Sequence, residues 1–326
     1  MTVLVTGAAG FVGMHVAKVL LDSGEKVVGI DNLNNYYDVG LKHARLQQLE
    51  AYDAFSFIKQ DISDRDGVFA ALKNIPDITK VVHLAAQAGV RYSLDHPFEY
   101  TESNITGFLT ILEYCRQLDN LEHLVFASSS SVYGGNRELP YSVDQSVDKP
   151  VSLYAATKKA NELMAHSYAH LYGIPLTGLR FFTVYGPWGR PDMAYWTFTE
   201  KMLNGETLPI FNNGDMKRDF TYIDDIVSGV VALLNNPPVG GDDAAPYRIY
   251  NIGNHQSEPL LNLVSALEVS LEVKANLKML PMQSGDVKET FADIDPIRRD
   301  VGYEPTTSLQ EGIPKFVEWY KSYKKG

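Results

Sequence analysis

The chain has 326 residues, 45% of them hydrophobic and 21% charged, enough to bury a sizeable core in one large domain or two smaller ones. A formal charge of −11 and a pI near 5.2 argue against nucleic acid or an anionic membrane as partners, since both demand a basic field. The single cysteine, Cys115, rules out an internal disulfide and sits in the helix-like ITGFLTILEYCRQL, where a buried inert thiol is expected. The opening Met-Thr-Val-Leu-Val-Thr-Gly has no basic stretch before an apolar core, and no apolar run approaches the ~20 residues of a bilayer span, so a cytoplasmic protein is expected.

In chain order the first half alternates β-rich apolar runs with amphipathic stretches: TVLVTG, VAKVLLDSG, KVVGID, FSFIKQD, GVFAALKN, KVVHLAA, a helix near Thr101 to Leu118, then EHLVFASS. Strands apolar on both faces imply a parallel sheet covered by helices, so the rhythm predicts an α/β, doubly wound parallel sheet of the Rossmann type. Beyond LTGLRFF, at Leu176 to Phe182, the pattern loses regularity and gains Pro, Gly and Asn, as in YGPWGRPDM and NNPPVGGDDAAP. A smaller, interleaved C-terminal lobe is expected there, giving approximate divisions at 1–180 and 181–326. There is no repeat of solenoid length and no long charge run.

The first strand ends in Gly7-Ala8-Ala9-Gly10-Phe11-Val12-Gly13, before a helix expected to begin near His15. Such glycines let backbone approach a pyrophosphate, and the helix N-terminus offers N–H groups to its charge. Alone the motif is equally a plain turn. About twenty residues on, Asp31 ends KVVGID, where a carboxylate accepts hydrogen bonds from an adenosine ribose diol and repels a 2′-phosphate. With no Arg or Lys close behind Asp31, the reading is NAD rather than NADP, and residues 1–180 become the NAD-binding domain. Asp61, ending FSFIKQD, either reaches the adenine edge or is a solvated loop acid.

In SLYAATKKA, Tyr154 and Lys158 stand four apart and share a helix face. Bringing a phenol from pKa ~10 to near 7 requires roughly 4 kcal/mol of preference for the phenolate, which an ammonium and an oxidised nicotinamide supply together. Tyr154 then serves as a general base. The strand before it ends in FASSSSVYGG, and the two segments meet at the carboxyl edge of such a sheet, where these folds bind ligands.

These motifs together resemble the extended short-chain dehydrogenase/reductase family, in particular its nucleotide-sugar epimerases and dehydratases, over nearly the whole length. The resemblance implies that the Ser or Thr twenty-five residues before the tyrosine, here Ser129 with Ser131 beside it, bonds the sugar hydroxyl being oxidised. Ser128 and Ser130 contact substrate or satisfy backbone groups. It also implies dinucleotide contacts at Phe11, Val12, Ile62, Leu84, Ala85 and Ala86. Dehydratases carry a carboxylate pair just after the catalytic hydroxyl residue and decarboxylases commonly a Glu; Ser130 and Ser131 stand there instead, leaving epimerisation through a 4-keto sugar.

AAQAGVRYS, with Arg91, and RFFTVYGPWGRPDMA look more like UDP-glucuronate 4-epimerases than UDP-galactose 4-epimerases, which carry Asn at the place of Thr183. By the same resemblance Thr183 and Arg190 belong near the uronate carboxylate and diphosphate, Arg218 is a diphosphate cation, Phe211 packs on uracil, and Asp286 binds the uridine ribose. Gln283 departs from the galactose-type Arg, which puts a second diphosphate cation in doubt. The expected substrate is thus a UDP-uronic acid and the expected assembly a homodimer through the helix around Thr101 to Leu118 and the helix bearing Tyr154. Rival expectations are UDP-galactose 4-epimerase, UDP-glucuronate decarboxylase and a non-catalytic NAD-sensing module. His166 and His170, in HSYAH, lack the Glu of a zinc hydrolase and carry no metal reading.

Overall fold

Thr2–Thr6 (β1), buried along its whole length, runs through a turn at Gly7–Gly10 into helix Phe11–Asp22 (α1). The computed structural model describes residues 1–241, 244–282 and 287–325. The alternation continues with Lys26–Asp31 (β2), Val39–Glu50 (α2), Phe55–Lys59 (β3), Arg65–Leu72 (α3) and Ile78–His83 (β4). Two short turns, Tyr92–Asp95 (α4) and Pro97–Tyr100 (α5), lead through a π-helical segment at Thr101–Thr106 into Gly107–Arg116 (α6). His123–Ser129 (β5), a 3-10 turn at Ser130–Tyr133, Leu153–Tyr172 (α7) and Leu176–Phe181 (β6) follow. The second half holds Thr183–Tyr185 (β7), Ala194–Leu203 (α8), Thr207–Ile210 (β8), Lys217–Arg218 (β9), Phe220–Tyr222 (β10) and Ile223–Leu234 (α9). Tyr247–Ile252 (β11), Glu258–Pro259 (β12), Leu260–Leu271 (α10), Asn276–Met279 (β13), Asp295–Val301 (α11) and Leu309–Tyr323 (α12) complete it.

Seven strands form the central sheet in the order β11-β6-β5-β4-β1-β2-β3, and β3-β2-β1-β4-β5 pair in parallel. Strand order reverses between β1 and β4, the switch point where a doubly wound sheet opens a crevice at its carboxyl edge. Leu4, Phe108, Ile111, Phe126 and Leu176 meet in the core around this sheet. Burial of each such side chain stabilises by about 1.5–3 kcal/mol, and Phe126→Ala would cost about 3–5 kcal/mol through the cavity it leaves. Helix α7 has sharp ends for local reasons: the Ser152 side chain accepts the Ala155 N–H, and Gly173 terminates it at φ 66°.

The chain divides into two compact units. The first comprises residues 1–134, 146–180 and 227–250, and the second 135–145, 181–226 and 251–326. The chain leaves the first unit for 135–145, departs again at Phe181, returns for 227–250 and ends in the second. In the second unit β7 pairs with β10, β8 with β13 and β9 with β12. Its α12 opens with a capping box, Ser308 and Glu311, and lays Phe316 edge-on to Tyr195 at 4.8 Å.

Candidate active site

Helix α1 begins at Phe11, four residues before the position expected from sequence, so Gly13 lies in its first turn. There the backbone is too close for any side chain: a Cβ on Gly13 would lie 2.0 Å from the Gly7 carbonyl oxygen, and one on Gly10 would lie 2.9 Å from the same atom. Gly7, at φ 73°, presses on the end of β4, where a Cβ would lie 2.8 Å from the Ala85 nitrogen. Leu84 and Ala85 thus border the turn, partly exposed like Ala86 after them, and buried Phe11 and half-buried Val12 open α1. The first-turn N–H groups of a helix have no acceptor within it. A cradle closed to side chains and lined by such donors fits the pyrophosphate of a dinucleotide.

Asp31 ends β2 as expected and is nearly buried; its oxygens accept from the Ala9 N–H at 3.2 Å and the Leu33 N–H at 2.8 Å. Distant in sequence, a cation nevertheless stands close to Asp31 in space: Lys42 lies 3.7 Å away, because α2 folds back over the glycine turn. Lys42 also donates to Asn34 Oδ1 at 2.7 Å, and burial lowers its pKa. Arg45, fully buried, donates to the Ala9 carbonyl at 3.0 Å. Asp61 accepts from Asn32 and from the Ser63 N–H, both at 2.8 Å, while Ile62 is buried against the start of α6.

Helix α7 packs on β5 and on the 3-10 turn after it. Lys158 is buried and donates from Nζ to the Ala127 carbonyl at 2.8 Å, two residues before Ser129. Desolvation brings its pKa down to about 8. Tyr154, one helical turn earlier, is partly exposed and meets the Tyr100 ring edge to face at 6.0 Å. Ser129 accepts the Ser131 N–H and donates to the Ser131 hydroxyl, each at 3.1 Å, as Ser130 and Ser131 turn outward in the 3-10 segment. Ser128 departs from its expected place toward substrate. It is 2% exposed and donates to Glu162 Oε1 at 2.6 Å, because adjacent residues of a strand face opposite ways.

Arg91 is exposed at the start of α4. In the second unit Thr183 opens β7, its N–H bonded to the Asp219 carbonyl at 3.1 Å. Arg190 sends Nε and Nη2 to the two oxygens of Asp192, at 3.0 and 2.6 Å, so part of its fork is already engaged. Phe211 begins a 3-10 turn, and Arg218 Nη1 donates to the Lys217 carbonyl at 2.8 Å. Asp286 and Gln283 lie outside the described residues.

Several buried polar residues had no place in the sequence reading. Asn104, in the π-helical segment, exchanges hydrogen bonds with the Gln87 backbone at 2.8 and 3.1 Å and reaches Thr157 at 3.1 Å, while its carbonyl accepts from Asn161 at 2.7 Å. Glu162 pairs with Arg180 through two bonds of 2.9 Å. Both signals were available: Glu162 follows Lys158 by four on the same helix face, and Arg180 is a lone charge in the apolar run LTGLRF, which demands a partner.

Comparison with known proteins agrees with this geometry. UDP-glucuronate 4-epimerase 4 of Arabidopsis thaliana is 50% identical over 335 residues, covering all of this chain and 76% of that protein. Protein CapI of Staphylococcus aureus is 47% identical over the full length of both. The crystal structure of UDP-glucuronic acid 4-epimerase from Bacillus cereus, in complex with UDP-glucuronic acid and NAD, superposes with a TM-score of 0.90 at 37% identity, covering 99% of this chain and 100% of that one. The sequence profile of the NAD dependent epimerase/dehydratase family matches residues 3–253, about three quarters of the length, and the chain therefore belongs to that family.

Proposed function

We propose that this chain is an NAD-dependent UDP-glucuronate 4-epimerase, an isomerase interconverting UDP-glucuronate and UDP-galacturonate. The observation that carries the reading is its full-length likeness to the Arabidopsis and Bacillus cereus 4-epimerases. A buried, desolvated Lys158 beside the serine-ended strand supports the mechanism. The glycine cradle and Asp31 would hold NAD, which when bound would supply the acceptor and donor of the C4 hydride. Tyr154 takes the proton of the C4 hydroxyl as the C–H bond breaks, leaving a 4-keto sugar. Lys158 favours the phenolate, and Ser129 holds the reacting oxygen. After the keto sugar turns over, Tyr154 returns its proton to that oxygen while hydrogen reaches the opposite face of C4.

Phe211, Arg218 and Asp286 are assigned to the uridine diphosphate, Thr183 and Arg190 to the uronate, with Arg91 and Ser130 as further substrate contacts. A 4-keto uronate is a β-keto acid, and loss of carbon dioxide requires its carboxylate to rotate out of the plane that resists cleavage. Arg190, its fork part-held by Asp192, is suited to restrain that rotation.

A homodimer belongs to the same proposal. Phe98, Leu109, Leu163 and Leu171 are 78%, 40%, 60% and 63% exposed on α5, α6 and α7, an apolar load a second copy would cover. Sedimentation as a monomer at micromolar concentration would remove that part. The cytoplasmic location is tested by fractionation; among the described residues no helix is long and apolar enough to cross a membrane. Incubation with UDP-glucuronate, UDP-glucose and UDP-xylose in turn, without added NAD, tests the activity through anomeric proton signals. Only the first should be converted, to UDP-galacturonate. Conversion of UDP-glucose would favour the galactose-type epimerase, and release of carbon dioxide the decarboxylase.

A further inference from the structure

We propose that the buried Glu162–Arg180 ion pair is a positioning device for Ser129, holding the serine-bearing turn from both sides. Glu162 and Arg180 are each 3% exposed, on α7 and at the end of β6. Glu162 Oε1 accepts from Ser128 at 2.6 Å and from Arg180 Nε at 2.9 Å, and Oε2 accepts from Arg180 Nη2 at 2.9 Å. The remaining arm of the guanidinium, Nη1, donates to the Tyr133 hydroxyl at 3.0 Å, and the cation lies 4.9 Å from the centre of the Tyr133 ring. Ser128 immediately precedes Ser129, and Tyr133 ends the 3-10 turn that follows it. One ion pair thus grips the chain on either side of the hydroxyl assigned to the reacting oxygen.

Stability alone does not account for the arrangement, since a buried ion pair is often no better than well-packed apolar residues of similar size. Direction does. A carboxylate engaged by the planar fork of an arginine has a fixed orientation, and it passes that orientation to Ser128. Because neighbouring strand residues point oppositely, holding Ser128 inward sets where Ser129 points. Misplacing a reacting group by about 1 Å costs on the order of 100-fold in rate, so a brace of this kind bears directly on turnover. The role is positioning, because neither Glu162 nor Arg180 touches a reacting atom.

The inference rests on the assignment of Ser129 made above, and the test separates the two. Glu162→Gln would strand a buried guanidinium and endanger the fold, so Ser128→Ala and Tyr133→Phe, which leave the ion pair whole, carry the experiment. Each is made alone and together with Ser129→Ala in the NAD-loaded enzyme, and kcat, KM for UDP-glucuronate and melting temperature are measured. Each single change should lower kcat by about 10-fold or more with KM within about two-fold, and neither should lower it further once Ser129 is alanine. Unchanged kcat in both single variants, or losses that multiply with that of Ser129→Ala, would overturn the positioning role. Parental turnover by Ser129→Ala itself would overturn the Ser129 assignment and this inference with it.

Discussion

Replacing Lys158 by methionine should leave the folded chain at least as stable near neutral pH while greatly slowing catalysis. Burial brings the folded-state pKa of Lys158 from 10.5 down to about 8, so below pH 8 both folded and unfolded chains carry the ammonium and the folded one bears the full desolvation penalty. At about 1.4 kcal/mol per pH unit, that penalty is about 3 kcal/mol. Between pH 8 and 10.5 the folded chain sheds the proton while the unfolded chain keeps it, so wild-type stability recovers, and above 10.5 the penalty is gone. Methionine removes the penalty at every pH but also the 2.8 Å bond to the Ala127 carbonyl, a loss of about 1–3 kcal/mol. At pH 7 the variant should therefore equal wild type or exceed it by up to about 2 kcal/mol, and by pH 9.5 the comparison should have moved about 2 kcal/mol toward wild type. Urea unfolding of both proteins, stripped of dinucleotide, at pH 7 and 9.5 measures the change. A stability difference independent of pH would refute the claim that Lys158 is desolvated where it stands. Turnover of the reloaded variant should fall by about 100-fold or more.

Tyr154→Phe should bind NAD and UDP-glucuronate normally yet lose epimerisation by about 10²–10⁴-fold, followed by anomeric proton signals; inversion at the parental rate would remove the tyrosine from the mechanism. Gly13→Ala would drive a methyl to 2.0 Å from the Gly7 carbonyl oxygen, an overlap with backbone that cannot rotate aside. The purified variant should consequently carry little dinucleotide, read from its absorbance at 260 against 280 nm. Arg190→Ala should release carbon dioxide and a UDP-pentose from UDP-glucuronate. Normal epimerisation with no pentose would count against a restraint on the uronate.

The βα alternation, the glycine turn, Asp31 at the end of β2 and the Tyr154–Lys158 spacing were legible because each is a local pattern of a few residues. What escaped depends on distant segments meeting. Four serines in a row look alike in sequence, but strand geometry turns Ser128 to Glu162 while Ser129 bonds to Ser131. Lys42 reaches Asp31 only after a whole connection has folded back, so proximity in sequence was a poor guide to the charge around that carboxylate. The return of residues 227–250 to the first unit, with β11 joining the sheet beside β6, is a pairing across some sixty intervening residues that no periodicity announces.

The buried charges along one face of α7 have different surroundings, and the difference bears on the chemistry. Lys158 and Glu162 are four residues apart, a spacing at which a carboxylate ordinarily neutralises an ammonium and raises its pKa. Here the opposite holds: burial pushes the Lys158 pKa down, while the guanidinium of Arg180 lies 2.9 Å from the Glu162 oxygens. His83, buried on the neighbouring strand β4, is kept neutral with its pKa lowered to about 3, first by burial and then by the charge of Lys158 itself. An ammonium already satisfied by a carboxylate would have little field left for a phenolate. On the proposed mechanism, a Glu162 carboxylate engaged by Arg180, with Lys159 3.6 Å from its other side, would leave the charge of Lys158 to act on Tyr154, so the proposed brace of the serine turn would also serve the tyrosine base.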